Sequence, residues 1–563
     1  MAKIKNKTKT KTHKYIFVVG GVMSGVGKGV AASSIAAILK GRGLKVTALK
    51  IDPYINVDAG TMNPTEHGEV FVLQNGLETD QDMGNYERFL NQDIPDINYM
   101  TTGSVYQSVI KKERNLEYGG KNVEVVPHIP MEVIERIKKA ALHADADVTL
   151  VEIGGTVGEY QNILFLEAVR MMKSETPDDI AVVMVSYLPV PGSIGEMKTK
   201  PTQTAARTLN SAGVFADFIV ARGPVAVDEK RKEKIARFCN VRADHVISAP
   251  DVSSIYDVPL NFEADNLSQK ICDTLGITKK TKSDLRDWKK FVARSKNGKD
   301  IVKIAVVGKY FNSGDFLLSD VYLSVLEAIK YSTYHLNLKP EIHYLSSLDF
   351  SDKKNLKKLK DFDGVLIPGG FGTTGIEGKL NVIEFVRKNK IPYFGICYGM
   401  QLAIVEYAKN KLKLTDVSTA EIKPNAKHLV VDVMLEQKEK IAKSDMGGTM
   451  RLGEYPAELL AGSIAAQAYG ARRGKGITIS ERHRHRYEVN PQYVEDLEKE
   501  GLLFSGKSPD GRLMEIAELP TETHPFFVAV QFHPEFHARP LSPHPIFTAF
   551  IKASYESKHP RLK

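Results

Sequence analysis

The sequence has few cysteines, a single tryptophan and no long apolar run. Its three cysteines, Cys239, Cys272 and Cys397, are not spaced like a metal site or a disulfide framework, which fits a reducing cytosol. No apolar stretch reaches the ~18 residues of a membrane-spanning helix. The lysine-rich N-terminus lacks the apolar segment of a signal peptide. We therefore expect a cytoplasmic protein with no membrane partner.

The charge of the chain gives little reason to expect a nucleic-acid partner. Lys and Arg number 77 against 68 Asp and Glu, a net charge of +9, and six of these lysines lie in residues 1–14. We expect this segment to be a disordered basic tail. The remaining charge fits anionic small substrates such as nucleotides. A length of 563 residues predicts about two to four domains.

A glycine-rich loop follows the first apolar run. Residues 15–19 predict a buried strand, residues 20–29 read GGVMSGVGKG, and residues 31–40 predict a helix. This order is the context of a phosphate loop, in which backbone N–H groups cradle phosphates and Lys28 reaches their outer oxygens. The match to the P-loop pattern is imperfect, since Gly29 replaces the Ser or Thr that would contact magnesium. The alternative is a glycine-rich turn with a surface lysine.

Two acids and one basic segment are further candidates in the first half. Asp82 lies in a predicted polar loop, 80–82, and Glu152 lies near the end of an apolar strand, 147–155. Carboxylate oxygens suit magnesium, although such acids can also be merely solvated. Residues 198–203 read KTKPTQ, which we interpret as a proline-bent loop for an anionic ligand or as a charged surface loop. Strands alternating with helices predict a doubly wound α/β domain.

The lysine-rich residues 276–301, which contain Trp288, predict a linker with one short docked helix. A second α/β unit begins at residue 302. The resulting prediction is a tail at 1–14, a first domain at 15–275, the linker, and a second domain at 302–557.

A nucleophile elbow is predicted at Cys397. The β-rich run 391–396 leads into it, a helix-like run 400–408 leads out, and glycines stand two residues away on each side. Such a turn strains the cysteine backbone, and the helix N-terminus favours the thiolate. His533 is the candidate base, and Glu535 can orient it. The turn at Gly369-Gly370 and the N–H of Tyr398 can stabilise an oxyanion. A buried core cysteine is the alternative.

These motifs carry two resemblances. The runs PGG at 368–370, GICYG at 395–399 and HPE at 533–535 resemble the class I glutamine amidotransferase family, which releases ammonia through a glutamyl thioester. The first half resembles the amidoligase domain of the CTP synthase family. The runs that carry this second resemblance, within about residues 15–557, are 20–29, 49–58, 66–72, 151–158, 198–203, 447–453 and 481–490.

The resemblance implies a fold of two doubly wound α/β domains and a reaction of UTP, ATP and glutamine to CTP, ADP, phosphate and glutamate. ATP would phosphorylate the uracil 4-oxygen, and ammonia would displace phosphate. The residues expected at ATP are Gly25, Val26, Gly27, Lys28, Gly29, Val30, Lys50, Asp82, Arg222, Pro250, Asp251 and Val252. Those expected at UTP are Ser24, Lys198, Thr199, Lys200, Pro201, Thr202, Gln203 and Lys234. Mg²⁺, accompanying ATP, is expected at Asp82 and Glu152.

The resemblance also implies a second set of ligands. Glutamine is expected at Gly370, Tyr398, Gly399, Met400, Gln401, Glu421 and Arg486. Inhibitory CTP is expected at Ser24, Glu159, Tyr160, Gln161, Lys198, Lys200, Gln203 and Lys234. Ammonia is expected to pass His67 and Val70. GTP as an activator and self-association to a homotetramer are further implied partners.

Three departures from the family pattern bear on these expectations. Tyr398 replaces a common leucine, Thr374 replaces an arginine linked to GTP activation, and Glu159-Tyr160-Gln161 replaces an Asp-Ile-Glu type segment. They predict an altered glutamine pocket, altered GTP stimulation and altered CTP feedback. Three alternatives remain at the level of the sequence: another ATP-dependent amidotransferase of cobyrinate-amidase type, a partition-type switch ATPase, and a filament-forming structural role. The second predicts no use for Cys397, His533 or Glu535.

Overall fold

The computed structural model describes residues 12–192, 195–278, 281–309, 312–313, 316–317, 319–433, 450–472 and 474–559, without the side chains of Thr65 and 312–320. Most of the predicted tail and residues 447–449 of one family run therefore lie outside the described residues. The chain divides into two compact units. The first comprises Met1–Thr61 and Asp82–Val292, and the second comprises Met62–Gln81 and Ala293–Lys563.

The first unit is built on a seven-stranded parallel sheet. Its strands, in spatial order, are Tyr99–Thr101, Val46–Asp52, Val148–Ile153, Lys14–Gly20, Ile180–Tyr187, Phe218–Gly223 and Val246–Pro250. The strand Lys14–Gly20 pairs in parallel with a strand on each side, with Tyr15 opposite Thr149 and Ile180. Nearly every residue of these strands is buried, because helices cover parallel sheets on their faces. The apolar runs in the sequence reflect this burial.

Helices follow most of these strands. The helices that lie wholly or mainly in the first unit are Lys28–Gly41, Gln81–Leu90, Thr102–Arg114, Val125–His143, Ile163–Glu175, Lys200–Ser211, Glu229–Cys239, Val258–Ala264, Leu267–Thr274 and Arg286–Asn297. In the last of these, Trp288 is buried and its Nε1 donates to the carbonyl of Tyr256 at 2.8 Å. Its ring also packs against Phe89.

Two sequence-based loop predictions in this unit are wrong. Asp82 lies in the first turn of the helix Gln81–Leu90, which buries most of its length despite its polar sequence. The segment 198–203 also enters a helix, Lys200–Ser211, whose early Pro201 needs no N–H partner there. In both cases the polar first turn of a helix resembled a loop in the sequence.

The second unit contains a nine-stranded mixed sheet. Its strands, in spatial order, are Lys339–Ser346, Ile301–Gly308, Gly364–Ile367, Tyr393–Ile396, Phe527–Val530, Met514–Leu519, Leu503–Lys507, Arg451–Leu459 and Ile477–His485. The first five are parallel, and each later strand joins antiparallel. The nucleophile elbow and the His-Pro-Glu segment follow two adjacent parallel strands, Tyr393–Ile396 and Phe527–Val530. Parallel pairing therefore brings their carboxyl ends to one edge.

Smaller elements complete the second unit. Its α-helices are Pro64–His67, Leu323–His335, Ile376–Asn389, Tyr398–Asn410, Ile464–Ala468, Val494–Lys499 and Pro545–Lys558. Its short strands are Phe71–Val72, Glu78–Thr79, Asn312–Ser313, Phe316–Leu317, Val417–Thr419, His428–Val433 and Tyr487–Val489. Across the described residues of both units, no helix is long and apolar enough to cross a membrane.

The segment Met62–Gln81 belongs to the second unit, although it lies early in the chain. Glu78 pairs with Arg484 at 2.7 Å, and the Phe71 ring packs edge-on against Phe536 at 5.0 Å. Glu69 accepts a hydrogen bond from the N–H of Ser324 at 3.0 Å. These contacts, between residues more than 200 positions apart, give no local signal in the sequence.

Candidate active sites

The backbone of Cys397 is strained, as the elbow predicts. Its φ is 48° and its ψ is −97°, a conformation that side-chain-bearing residues rarely adopt. The N–H of Cys397 donates to the carbonyl of Val530 at 2.6 Å, which ties the turn to the neighbouring strand. A Cβ at Gly399 would overlap the carbonyl oxygen of Ile367, so the close approach after the nucleophile requires glycine.

His533 and Glu535 form a buried pair beside the cysteine. His533 Nδ1 lies 2.8 Å from Glu535 Oε1. Burial opposes protonation of the imidazole, but the charges of Glu535 and then of Cys397 outweigh it and raise the pKa of His533 to about 10. A Cβ at Gly369 would lie 2.7 Å from His533 Cε1 and 3.7 Å from Cys397 Cβ. The structure thus places His533, Cys397 and the glycine turn around one point.

Several of the residues expected at glutamine make contacts near this point. Gln401 donates to the carbonyl of Tyr487 at 3.3 Å, in the helix that begins at Tyr398. Glu421 accepts a hydrogen bond from the N–H of Gly372 at 2.6 Å. Burial raises the pKa of Glu421, against the opposing effects of that N–H and of Lys309, Arg486 and Lys379. A carboxylate and a guanidinium therefore lie near one another within reach of the glycine turn.

A cavity of about 70 Å³ is lined in part by the glycine turn. Its walls include Val70, Gly370, Phe371, Arg484 and His533. Val70, one of the two residues predicted at the ammonia passage, therefore shares a cavity wall with His533. His67, the other, is exposed at the end of the helix Pro64–His67 and is not part of this wall.

In the first unit, three acidic side chains converge on the ammonium of Lys50. Its Nζ lies 2.5 Å from Asp82, 2.9 Å from Glu152 and 3.6 Å from Asp52. Burial and then the charge of Asp82 raise the pKa of Glu152. Burial also opposes ionisation of Asp82, but Lys50 outweighs it and lowers the pKa of that carboxyl. The two acids predicted to bind magnesium are therefore brought together.

Lys28 lies at the beginning of the helix that follows the phosphate loop. Its Nζ donates to the carbonyl of Gly155 at 2.9 Å, and burial lowers its pKa against the attraction of Glu152. The Asp82 carboxylate contacts Gly29 in the same first turn. The phosphate loop, Lys28 and the two acids therefore lie at the same end of the sheet. The described residues contain no group of three or more His, Cys, Asp or Glu side chains arranged to hold a metal.

Arg222 joins other residues predicted at ATP. Its guanidinium donates to the carbonyl of Val26 at 3.0 Å and to Asp251 at 2.7 Å. It also covers Gly27, where a Cβ would lie 2.9 Å from Nη1. Pro250 ends the adjacent strand, and Val252 follows it. The phosphate loop and the end of that strand are therefore linked through one arginine.

The residues predicted at UTP and CTP are brought together only in part. Lys198 pairs with Glu196 at 2.8 Å, and Lys234 acts on the same carboxylate. Thr202 is buried against Ser186, and Gln203 donates to Thr199. The remaining members are exposed or half-buried: Ser24, Lys200, Pro201, Glu159, Tyr160 and Gln161. Glu159 does face Gly155, where a Cβ would lie 2.8 Å from its Oε2.

Sequence reasoning missed several residues of both sites. Tyr86 donates to Glu152 and Asp52 faces Lys50 in the first unit, and Lys309 and Gln531 contact the glycine turn and the Cys397 sulfur in the second. Lys379 is fully buried beside Tyr398. A lysine on an amphipathic helix ordinarily faces water, so the sequence offered no signal for it.

Comparison with known proteins places both halves of the chain in known families. Residues 14–277 match the family model described as the CTP synthase N-terminus, and residues 317–553 match that of class-I glutamine amidotransferase. A synthetase domain joined to a cysteine-dependent glutaminase domain defines a glutamine-hydrolysing ligase.

Full-length relatives identify the family. The chain is 47% identical over 544 residues to a CTP synthase of Halalkalibacterium halodurans, covering 96% of this chain and 99% of the relative. It is also 47% identical to that of Methanococcoides burtonii, with coverages of 96% and 98%. A solved glutaminase domain of Trypanosoma brucei CTPS with bound acivicin is 36% identical, with a TM-score of 0.41, over 45% of this chain and 94% of that one.

The chain belongs to the CTP synthase family. Its activity is the ATP-dependent and glutamine-dependent amination of UTP, a ligase reaction of pyrimidine biosynthesis. The predicted α/β class is confirmed, with a parallel seven-stranded sheet in the N-terminal domain and a glutaminase-type C-terminal domain.

Proposed function

We propose that glutamine is hydrolysed at Cys397 in the second unit and that the released ammonia aminates a 4-phosphorylated UTP in the first. The observation that carries the proposal is the strained, buried Cys397 next to a His533–Glu535 pair 2.8 Å apart. A strained nucleophile and an oriented base are the two requirements of covalent acyl transfer.

In the glutaminase step, Cys397 Sγ attacks the amide carbon of glutamine. The N–H of Tyr398 and the turn Gly369-Gly370 stabilise the oxyanion. Protonated His533 gives its proton to the leaving nitrogen, and a glutamyl thioester remains on sulfur. Water, deprotonated by His533, then attacks the thioester and releases glutamate. Glu535 holds the imidazole with Nε2 free for these transfers, since its own bond is to Nδ1.

Glutamine recognition rests on charge complementarity. We assign the substrate ammonium to Glu421 and the substrate carboxylate to Arg486, because these opposite charges lie close enough to act on each other. The backbone of Gly370 and of Tyr398, Gly399, Met400 and Gln401 forms the remaining wall. A free amino acid carries both charges, whereas a peptide-linked glutamine lacks them, so this arrangement selects the free substrate.

In the synthetase step, the uracil 4-oxygen attacks the γ-phosphorus of ATP, and ADP leaves. Ammonia then adds to C4, and phosphate leaves with the oxygen. Lys28, Lys50 and the N–H groups of the phosphate loop, Gly25–Val30, neutralise the charge that phosphoryl transfer develops. Arg222 and the strand end 250–252 are assigned to the adenosine side of ATP, which their link to the loop through Val26 supports.

Asp82 and Glu152 are the proposed Mg²⁺ ligands. Their carboxylates already flank a cation, the Lys50 ammonium, and acceptor-only oxygens with few protein ligands suit magnesium that keeps several waters. Bound there with ATP, Mg²⁺ would shield the phosphate charge from the attacking oxygen. Lys50 would keep the two carboxylates ionised and correctly turned.

Regulation and assembly belong to the same proposal. The segment 198–203 with Lys234 and Ser24 is assigned to UTP, and with 159–161 to inhibitory CTP. GTP as an activator is proposed with an altered response because of Thr374. Ammonia is proposed to leave along the cavity wall at Val70 and past His67. A cytoplasmic location is proposed as well, and the low cysteine content supports it.

A homotetramer is supported by apolar side chains on three neighbouring helices of the first unit. Ile110, Met131, Leu142 and Ile163 are each more than half exposed there. Such exposure suits burial against other copies of the chain. Light scattering with and without nucleotides measures this assembly directly.

Two variants, one in each proposed site, and one control variant test the proposal. Cys397→Ala should lose CTP formation from glutamine and keep it from ammonium, whereas Cys239→Ala, at another buried cysteine, should keep both. Lys28→Ala should lose both synthesis routes while still hydrolysing glutamine. Glutamine-driven synthesis by Cys397→Ala would disprove the thioester route, and full synthesis by Lys28→Ala would disprove the phosphate-loop assignment.

A further inference from the structure

The glycine turn opposite Cys397 continues through Phe371 to Gly372, and three side chains hold this continuation. Lys309 Nζ donates to the carbonyl of Phe371, and Glu421 accepts from the N–H of Gly372 at 2.6 Å. Tyr398 Oη donates to the carbonyl of Gly372 at 2.7 Å. Gly372 therefore has both of its backbone groups fixed by side chains, in a turn that lies outside any helix or strand.

Tyr398 has an unusual double position. It directly follows the nucleophile and opens the helix Tyr398–Asn410, and its side chain is buried. Its backbone therefore forms one side of the reaction point, while its phenol reaches the turn that forms the other. Burial raises the pKa of Tyr398, so the phenol remains a neutral donor throughout the working pH range.

Lys379 supports the Tyr398 ring from the helix Ile376–Asn389, which begins shortly after the turn. Its Nζ is fully buried, lies 5.2 Å from the ring centroid and makes no hydrogen bond among the described residues. The Lys379 side chain packs over the ring face and so limits the tilting of the phenol. The ring is thus fixed on one face while its hydroxyl is fixed by Gly372.

We propose that Tyr398 is a positioning residue that sets the distance between the glycine turn and Cys397, and so aligns the oxyanion donors. A buried tyrosine needs some partner for its hydroxyl, but here the partner is the very turn that faces the nucleophile. The inference rests on the proposed glutaminase mechanism. It predicts an effect on the acyl-transfer step and not on substrate binding or on the nucleophile itself.

The test compares Tyr398→Phe with Tyr407→Phe. Tyr407 is a matched control, since it lies in the same helix, is buried, and donates to the carbonyl of Glu500 at 2.7 Å, away from the turn. We expect Tyr398→Phe to lower the glutaminase kcat about tenfold, which corresponds to ~1.4 kcal/mol, with KM within about twofold. Tyr407→Phe should leave kcat within about twofold.

Two further readouts separate positioning from a general defect. The first is the rate of Cys397 alkylation by iodoacetamide, measured by mass spectrometry. Because alkylation forms no oxyanion, Tyr398→Phe should be alkylated at the wild-type rate. CTP formation from ammonium should also be unchanged. An unaltered kcat overturns the inference, as does a parallel loss of kcat and alkylation, which would place the phenol's effect on the nucleophile or the fold. If the thioester mechanism itself is wrong, a different result shows it: Cys397→Ala would still make CTP from glutamine.

Discussion

A Cβ atom at Gly29 would overlap Oδ1 of Asp82 and lie 2.8 Å from its Cγ. The position at which many phosphate loops carry a serine or threonine is therefore filled by a carboxylate from another helix. The imperfect match of the loop has a physical cause, since the polar group at this place comes from Asp82 and not from the loop. Gly29 is required because any side chain would displace that carboxylate.

The close approach of Asp82 to Gly29 predicts the effect of adding a single methyl group at residue 29. Gly29→Ala should reduce CTP formation from glutamine and from ammonium alike, by at least about tenfold, because the methyl group pushes Asp82 away from Lys50. Glutamine hydrolysis should continue. The matched control is Gly192→Ala, where a Cβ meets nothing within 4 Å. A Gly29→Ala enzyme with ordinary ammonium-driven synthesis would show that Asp82 need not occupy this position.

Asp82→Asn should raise the Mg²⁺ concentration needed for half-maximal synthesis about tenfold or more. The amide keeps the shape of the side chain but removes the charge that attracts a divalent cation and pairs with Lys50 at 2.5 Å. A magnesium titration of ammonium-driven CTP formation measures this. Asp178→Asn, at an exposed acid of the same unit, serves as the control. An unchanged magnesium requirement would remove Asp82 from the metal site.

Glu535→Gln should move the alkaline limit of glutaminase activity to lower pH. The pKa of His533 is raised to about 10, and the charge of Glu535 is the main cause that outweighs burial. Without that charge His533 loses its proton at lower pH, and in the proposed mechanism this proton goes to the leaving nitrogen. The pH profile of kcat/KM for glutamine measures the shift, with the exposed Glu522→Gln as control. If the alkaline limit of the pH profile did not move, Glu535 would not raise the pKa of His533.

Lys379→Met should raise the Tm of the protein more at pH 6.5 than at pH 9. Burial, and then the charge of Lys309, lowers the pKa of Lys379 from 10.5 to about 7. The unfolded chain therefore binds more protons between these values, and the cost of burying the ammonium falls by ~1.4 kcal/mol per pH unit as pH rises. This cost exceeds the contact with the Tyr398 ring, roughly 1 kcal/mol.

The control for this prediction is Lys388→Met, an exposed lysine on the same helix, which should change Tm little at either pH. Scanning calorimetry at the two pH values supplies the comparison. A Lys379→Met protein that is less stable than the wild type at pH 6.5 would show that the buried ammonium stabilises the fold.

Local patterns predicted the parts of the sites that local structure builds. The elbow at Cys397 and the phosphate loop at Lys28 each need only a strand, a tight turn and a helix, and these are contiguous in the sequence. The helical position of Asp82 was missed because a polar first turn resembles a loop. The burial of Lys379 and the transfer of residues 62–81 to the second unit depend on partners far along the chain, which no local pattern encodes.

The transfer of nitrogen from glutamine to the uracil ring tests the account most directly. Enzyme is supplied with UTP, ATP, Mg²⁺, glutamine labelled with ¹⁵N in its amide and unlabelled ammonium, and the mass of the CTP is measured. We predict that the wild type makes mainly ¹⁵N-labelled CTP and that Cys397→Ala makes only unlabelled CTP. Labelled CTP from Cys397→Ala would contradict the account, because the amide nitrogen would then reach the uracil ring without the cysteine.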